Sequence, residues 1–480
     1  MKIFYQPQDG VCGDAIPFYN TSRKTYEIYY LHDFRDLSIR GEGTDWRRLA
    51  SDEPGVFREE GEMIVRGDAQ SRDLFCYTGC VVEYEGTLHI FYTGHNYHLM
   101  ESGGRKESVM HAVSTDGLHW EKKHELTFYA PEGCGIELND WRDPYVYYCE
   151  EEKCWRMLLC TRKLTGPDRL RGATGLLRSD DLCHWSYCGS FWEPSDCWCP
   201  ECPEIFKWGD RWYFIYSTFT EAEGLRTYYR ISDSENGPWR APAYNTFDSR
   251  AFYAGKTACD GEHRYIFGWN PSKTGDVDAG VWQWGGCLVT HELIRNDDGT
   301  LSVRMPDAFK GFFDEGSGMP FVPFLKELSD RSGQTVLSAD SGFAAAMGEK
   351  IPEQCMITAE IMLEEGCQDA GLWLRADENG DEGYFLRLDH AHGVLAFDRI
   401  KRLCEHNEHE RHVQIDTGVW HSLTVLVDKS ALTAYLDGHT ALSARMYDYT
   451  GSRMFITASE GTAVFRDLKI HRLVKGCVDE

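Results

Sequence analysis

The sequence predicts an all-β chain, with five radially packed antiparallel sheets forming the blades of a ring and a β-sandwich after them. Three observations lead there. A short aromatic strand recurs at Tyr26–Leu31, Leu88–Thr93, Trp155–Cys160, Trp212–Ser217 and Arg264–Trp269. Its starts are separated by 62, 67, 57 and 52 residues, a period suited to blades of short strands rather than a helical solenoid. Neither half of the chain carries a long amphipathic helix, and alternating strands resume after residue 336 with a different rhythm.

Residues 1–306 hold the five repeats. Three of them carry a second echo behind the aromatic strand: Ser114 to Trp120, Ser179 to Trp185, and Ser232-Asp233 leading to Trp239. The Asp-Gly or Asp-Asp pair reverses the chain, and each Trp is expected to pack between neighbouring blades. Residues 307–335 read as a connector, because Gly311, Gly316 and Gly318 are followed by Pro320 and Pro323. Residues 336–480 read as a sandwich domain. Its strands are Met356–Leu363, Ala370–Arg375, Gly383–Asp389, Trp420–Val427, Leu432–Leu436, Arg453–Ala458 and Ala463–Val474.

Bulk properties narrow the function. A net charge of −27 argues against nucleic acid and anionic membranes as partners. The aromatic content of 13% suits a grip on flat sugars and strand packing alike, so it selects neither. No apolar stretch approaches the roughly 20 residues that span a bilayer. Met1–Tyr5 runs into polar Gln6–Gly10, too short for a signal-peptide core, so a cytoplasmic location and reduced thiols for the 18 cysteines are expected. Cys197, Cys199 and Cys202 lack a second ligand pair at zinc-knuckle spacing, and His406, His409 and His412 fall in a charged stretch that reads as a solvated loop. No metal and no cofactor are expected.

The chemistry lies in three carboxylates at one register. Asp14, Asp143 and Glu201 stand 12, 12 and 11 residues before the aromatic strand of their own repeats. Each therefore heads the first strand of a blade, where inner strands converge on the axis. A glycosidase needs a carboxylate to attack the anomeric carbon and an acid to protonate the leaving oxygen. Asp14 is short and rigid, as a nucleophile should be. Glu201 is longer and lies beside Trp198, Pro200 and Pro203, a setting suited to a proton donor. Asp143 follows Arg142, whose guanidinium can fix the carboxylate or hold sugar hydroxyls.

These residues resemble glycoside hydrolase family 32, the invertases, fructanases and related β-fructofuranosidases, over nearly the full length. Arg142-Asp143-Pro144 and Glu201-Cys202 match its Arg-Asp-Pro and Glu-Cys motifs. Tyr77-Thr78-Gly79-Cys80-Val81-Val82 is similar to its Phe-Ser-Gly-Ser-Ala-Val segment. The resemblance implies a five-bladed β-propeller with a C-terminal β-sandwich. It also implies Asp14 as nucleophile, Glu201 as acid/base and Asp143 as transition-state stabiliser. Two departures stand out. Gly13-Asp14-Ala15-Ile16-Pro17 replaces the Asn-Asp-Pro-Asn-Gly type motif, and Tyr29-Tyr30-Leu31-His32-Asp33 lacks the Gln that ends the family's first aromatic strand. His32 and Asp33 are candidates to replace the missing hydrogen-bonding groups, and Trp46 is a candidate aromatic wall beside the sugar.

The expected activity is release of terminal β-D-fructofuranosyl units, with retention, from sucrose, short fructo-oligosaccharides or a related saccharide. The alternatives are a furanosidase for another sugar, such as an arabinofuranosidase-like enzyme, and a sugar-binding protein without catalysis. The expected partner is a small oligosaccharide.

Overall fold

The computed structural model describes residues 3–220, 224–402 and 407–474. Strands dominate throughout. The longest helical segments are six residues, at Tyr97–Ser102 and Asp307–Phe312, among the described residues. No helix there is long and apolar enough to cross a membrane.

The N-terminal half is a succession of antiparallel up-and-down runs. The first comprises Val11–Asn20, Thr25–Asp33, Asp45–Ser51 and Arg58–Ile64. Phe75–Tyr84 begins a four-stranded sheet and Ile136–Cys149 another. Glu201–Trp208 begins a run that meets Ala251–Cys259 through two parallel pairs, Leu225↔Ala251 and Arg226↔Phe252. The last run returns to the first through Cys12↔Gly286. Chain ends that lie apart in sequence are thereby joined edge to edge, which protects strand edges that water or another chain would otherwise pair with.

Apolar clusters fill the gaps between successive runs. Trp46, Met63 and Tyr29 of the first pack with Cys76, Ile90 and Tyr92 of the second. The echoed tryptophans seal these seams: Trp120 lies 6.1 Å from Tyr29, Trp185 5.6 Å from Phe91, and Trp239 5.7 Å from Phe191. The turn before two of them is an Asx turn, since Leu118 and His119 donate to Asp116, and Cys183 and His184 donate to Asp181.

The C-terminal half is a β-sandwich around one large aliphatic core that includes Leu337, Ile357, Leu372, Leu386, Val425 and Ile456. Gln334–Lys350 and Arg453–Arg472 run through it as long paired strands. The stretch read as a connector divides in two. Phe309 and Phe312 are buried in the apolar cluster between the halves, whereas Glu327–Arg331 pairs with Gln334–Ser338 and belongs to the sandwich sheet.

The two halves are locked by buried polar groups. Asp248 accepts Ser443 N at 2.6 Å and contacts His291 Nε2 at 3.0 Å, and His291 Nδ1 meets Tyr435 OH at 2.9 Å. Arg445 donates to Asn270 O at 2.7 Å and Pro271 O at 3.0 Å. Asp248, His291 and Arg445 each keep partners on burial, which offsets the cost of desolvation. A charged sequence also hides a strand here. The stretch expected as a solvated loop contains His409–His412, and His409 is buried 5.6 Å from Trp282. His406 lies outside the described residues.

Candidate active site

The first strand of every N-terminal run slips register at one level. The slips follow Cys12, Tyr77, Glu201 and Tyr253, and one falls between Arg142 and Tyr145. A β-bulge bends its strand and re-aims side chains that strict alternation would bury. Asp143, Cys202 and Ala254 adopt φ of 59°, 51° and 54°, in the left-handed region that L-residues enter only at a cost of order 1 kcal/mol or more. The strain is spent where five strands point at one cavity.

That cavity measures about 1110 Å³. Asp14, Asp33, Tyr77, Thr78, Arg142, Asp143 and Glu201 all line it, so seven of the nine candidate residues meet there. Asp14 is held on both oxygens: Trp269 Nε1 donates to Oδ1 at 2.8 Å and Thr78 Oγ1 donates to Oδ2. Asp143 Oδ2 accepts Cys202 N at 3.0 Å, and its own amide donates to Thr93 Oγ1 at 2.8 Å. Cys202 Sγ lies 3.8 Å from Asp14 Oδ2 and 3.8 Å from Asp143 Oδ2, which leaves the two oxygens no more than twice that distance apart. Glu201 is gripped from two sides, by Arg142 Nη2 at 2.9 Å and by the Tyr253 hydroxyl.

Electrostatics follow from this crowding. Burial pushes the Asp14 carboxyl up, with the Glu201 charge adding to it against the Thr78 and Trp269 hydrogen bonds. Burial likewise raises Asp143, to about 7, with Glu201 and Asp14 adding and Arg142 opposing. Glu107 runs the other way. Its burial would raise it, but Arg142 and the neighbouring His95 and Lys106 hold it at about 2, so it anchors Arg142 as a fixed anion.

Two candidates lie elsewhere. Trp46 is fully buried in the seam between the first two runs, with its Nε1 donating to Tyr77 O at 3.1 Å. His32 is also fully buried, bonded to Asp9 at 3.0 Å and packed edge-on to Phe34. Alternation along Thr25–Asp33 turns His32 away from the face that carries Leu31 and Asp33 into the cavity. Neither residue touches the site.

Tyr253, Trp269 and Trp284 are among the lining residues that escaped the sequence reading. The register rule reaches one of them, because Tyr253 stands 11 residues before the fifth aromatic strand. No group of three or more His, Cys, Asp and Glu side chains is placed to hold a metal ion among the described residues. Cys199 Sγ instead donates to Thr161 O at 3.6 Å.

Comparison with known proteins adds to this geometry. Residues 5–302 match the family profile described as glycosyl hydrolases family 32 N-terminal domain, and residues 327–472 match glycosyl hydrolases family 32 C terminal. A sucrose-6-phosphate hydrolase of Escherichia coli is 24% identical, over 92% of this chain and 88% of its own. A raffinose invertase of the same species is 23% identical, over 88% of this chain and 85% of its own. Among solved structures, an exo-inulinase from Aspergillus awamori superposes with a TM-score of 0.75 at 15% identity, covering 98% of both chains. A family 32 β-fructofuranosidase from Bombyx mori gives 0.71 at 17% identity, covering 98% of this chain and 93% of its own.

Proposed function

The chain belongs to glycosyl hydrolase family 32 and hydrolyses O-glycosyl bonds, and from that premise we propose that it releases terminal β-D-fructofuranosyl units with retention from sucrose or short fructo-oligosaccharides. The carrying observation is the meeting of Asp14, Asp143 and Glu201, from three separate strands, in one cavity. Asp14, oriented by two hydrogen bonds, attacks the anomeric carbon while Glu201 protonates the departing oxygen. The fructosyl ester on Asp14 is then hydrolysed by water that Glu201 deprotonates. Asp143 faces the ring hydroxyls and offsets the oxocarbenium charge. Arg142 and Tyr253 hold Glu201 so that one carboxyl serves both half-reactions.

The five up-and-down runs read as five blades of a propeller over residues 1–306. Pairing with the sandwich sheet begins at Ser317, inside the stretch 307–335, where Ser317–Gly318, Val322–Leu325 and Glu327–Arg331 join its long strands. The sixteen unbridged cysteines among the described residues favour a reducing, cytoplasmic setting.

Curated relatives bear the name sucrose-6-phosphate hydrolase, yet the cavity here favours an unphosphorylated substrate. Its lining carries seven carboxylates (Asp14, Asp33, Glu42, Glu107, Asp140, Asp143, Glu201) against Arg35, Lys106 and Arg142. Each cation already faces a carboxylate: Arg35 to Asp33 at 3.6 Å, Lys106 to Glu107 at 3.5 Å, Arg142 to Glu201 at 2.9 Å. A phosphate dianion finds no spare positive charge there.

The deciding experiment offers the purified enzyme sucrose, 1-kestose, sucrose 6-phosphate and aryl arabinofuranosides, with free sugar and product anomer read by NMR. Fructose released with retention from the neutral fructosides supports the proposal. Preference for the phosphate ester removes the charge argument, and arabinose release or binding without turnover removes the reading altogether. Glu201→Ala should slow sucrose by about 10²–10⁴-fold and an activated aryl fructoside far less.

A further inference from the structure

Gly13 precedes Asp14 in the first strand, and its bare α-carbon is occupied territory. A Cβ built there would lie 2.0 Å from Trp284 Cη2 and 2.4 Å from Cζ2. The benzo edge of Trp284 thus rests on the backbone immediately beside the Asp14 carboxylate. No side chain larger than hydrogen fits at position 13 while the indole stays.

The indole is held in that place from three sides. Its ring meets Trp269, the Asp14 donor, at 6.0 Å and 62°. Arg35 reaches across from the first run to donate to Trp284 O. Behind it, Gly285 sits at φ 75°, and a Cβ there would come within 2.9 Å of Cys12 O. Trp284 nevertheless stays half-buried and lines the cavity. An indole fixed so firmly, partly uncovered and abutting the residue before the attacking carboxylate, has the form of a sugar platform.

We propose that Trp284 is the apolar wall of the subsite for the terminal sugar and that Gly13 is glycine in order to admit it. The pair selects a sugar that turns a C–H edge, rather than a hydroxyl or a charged group, towards the first strand. This rests on the fructofuranosidase reading above and names the recognition element of the same site.

The test compares Gly13→Asn, which restores the residue of the family motif, with Trp284→Ala, Trp284→Leu and Gly13→Asn/Trp284→Ala. Melting temperature, kcat and KM for sucrose, and competitive inhibition by fructose are measured for each. Gly13→Asn should melt lower than the parent, and adding Trp284→Ala should recover part of that loss, because the clash is removed. Trp284→Ala and Trp284→Leu should each raise KM and weaken fructose inhibition by roughly tenfold or more, the scale of a lost apolar pocket contact, with kcat changed less. Trp284→Leu keeps apolar bulk and remains readable if the alanine variant does not fold. A Gly13→Asn protein with parental stability and kinetics would show that the indole does not occupy that space. Parental fructose inhibition in Trp284→Leu, with sucrose still hydrolysed, would remove Trp284 from the subsite and leave the enzyme assignment standing. A parent inert on every fructoside would overturn both.

Discussion

Replacing Asp143 with asparagine should make the protein more stable, and the gain should grow with pH. A carboxyl that is harder to ionise in the folded chain than in the unfolded one binds its proton more tightly when folded. Its contribution therefore favours folding at low pH and is lost as pH rises from 3.8 through about 7, the folded value for Asp143. Linkage over that interval stays under about 1 kcal/mol at pH 4 and grows to about 3 kcal/mol at pH 6 and about 4 kcal/mol at pH 8. Asparagine keeps an acceptor for Cys202 N and carries no charge, so Asp143→Asn should recover most of this. Urea unfolding at pH 4, 6 and 8 reads the difference directly. A variant no more stable than the parent at pH 8, or one whose advantage is equal at pH 4 and pH 8, refutes the argument. Activity should fall sharply in the same protein, a trade of stability against function that strained sites commonly show.

Other consequences are as direct. Tyr253→Phe removes the hydroxyl on Glu201 and should lower kcat by about tenfold or more, the worth of a hydrogen bond to a charged group, with KM nearly unchanged. Trp46→Phe should cost about 1–3 kcal/mol in unfolding experiments while leaving KM for sucrose within about twofold, since Trp46 fills a seam and not the subsite. Arg445→Ala strips partners from Asn270 O and Pro271 O between the halves and should cost about 3 kcal/mol, seen as a lower urea midpoint.

The sequence carried the architecture of the site more clearly than its walls. Asp14, Asp143 and Glu201 were legible because the distance from bulge to aromatic strand stays at 11 or 12 residues in each repeat. Tyr77 and Tyr253 obey the same rule at 11 residues, so the whole inner ring of side chains was in principle readable. The orientation of Trp46 and His32 was not. Their strands are buried on both faces, so alternation no longer separates core from cavity. Trp284 comes from Trp282–Arg295, not a first strand, and only three-dimensional packing sets it against Gly13. His409 shows a similar limit, because a run of charges gives no sign that another domain will cover it.

The grip of the sandwich on the last run has a wider consequence. Tyr384 OH donates to Asp278 at 2.6 Å, Lys273 bonds Glu408 at 3.0 Å, and Lys273 lies 4.4 Å above the Trp282 ring. Both ends of the segment leading into Trp282–Trp284 are thus fastened to the C-terminal half. That half serves as the jig against which the cavity-lining Trp282 and Trp284 are set. Grafting a foreign sandwich onto the N-terminal half would leave Asp14 and Glu201 in place and misalign the aromatic wall beside them.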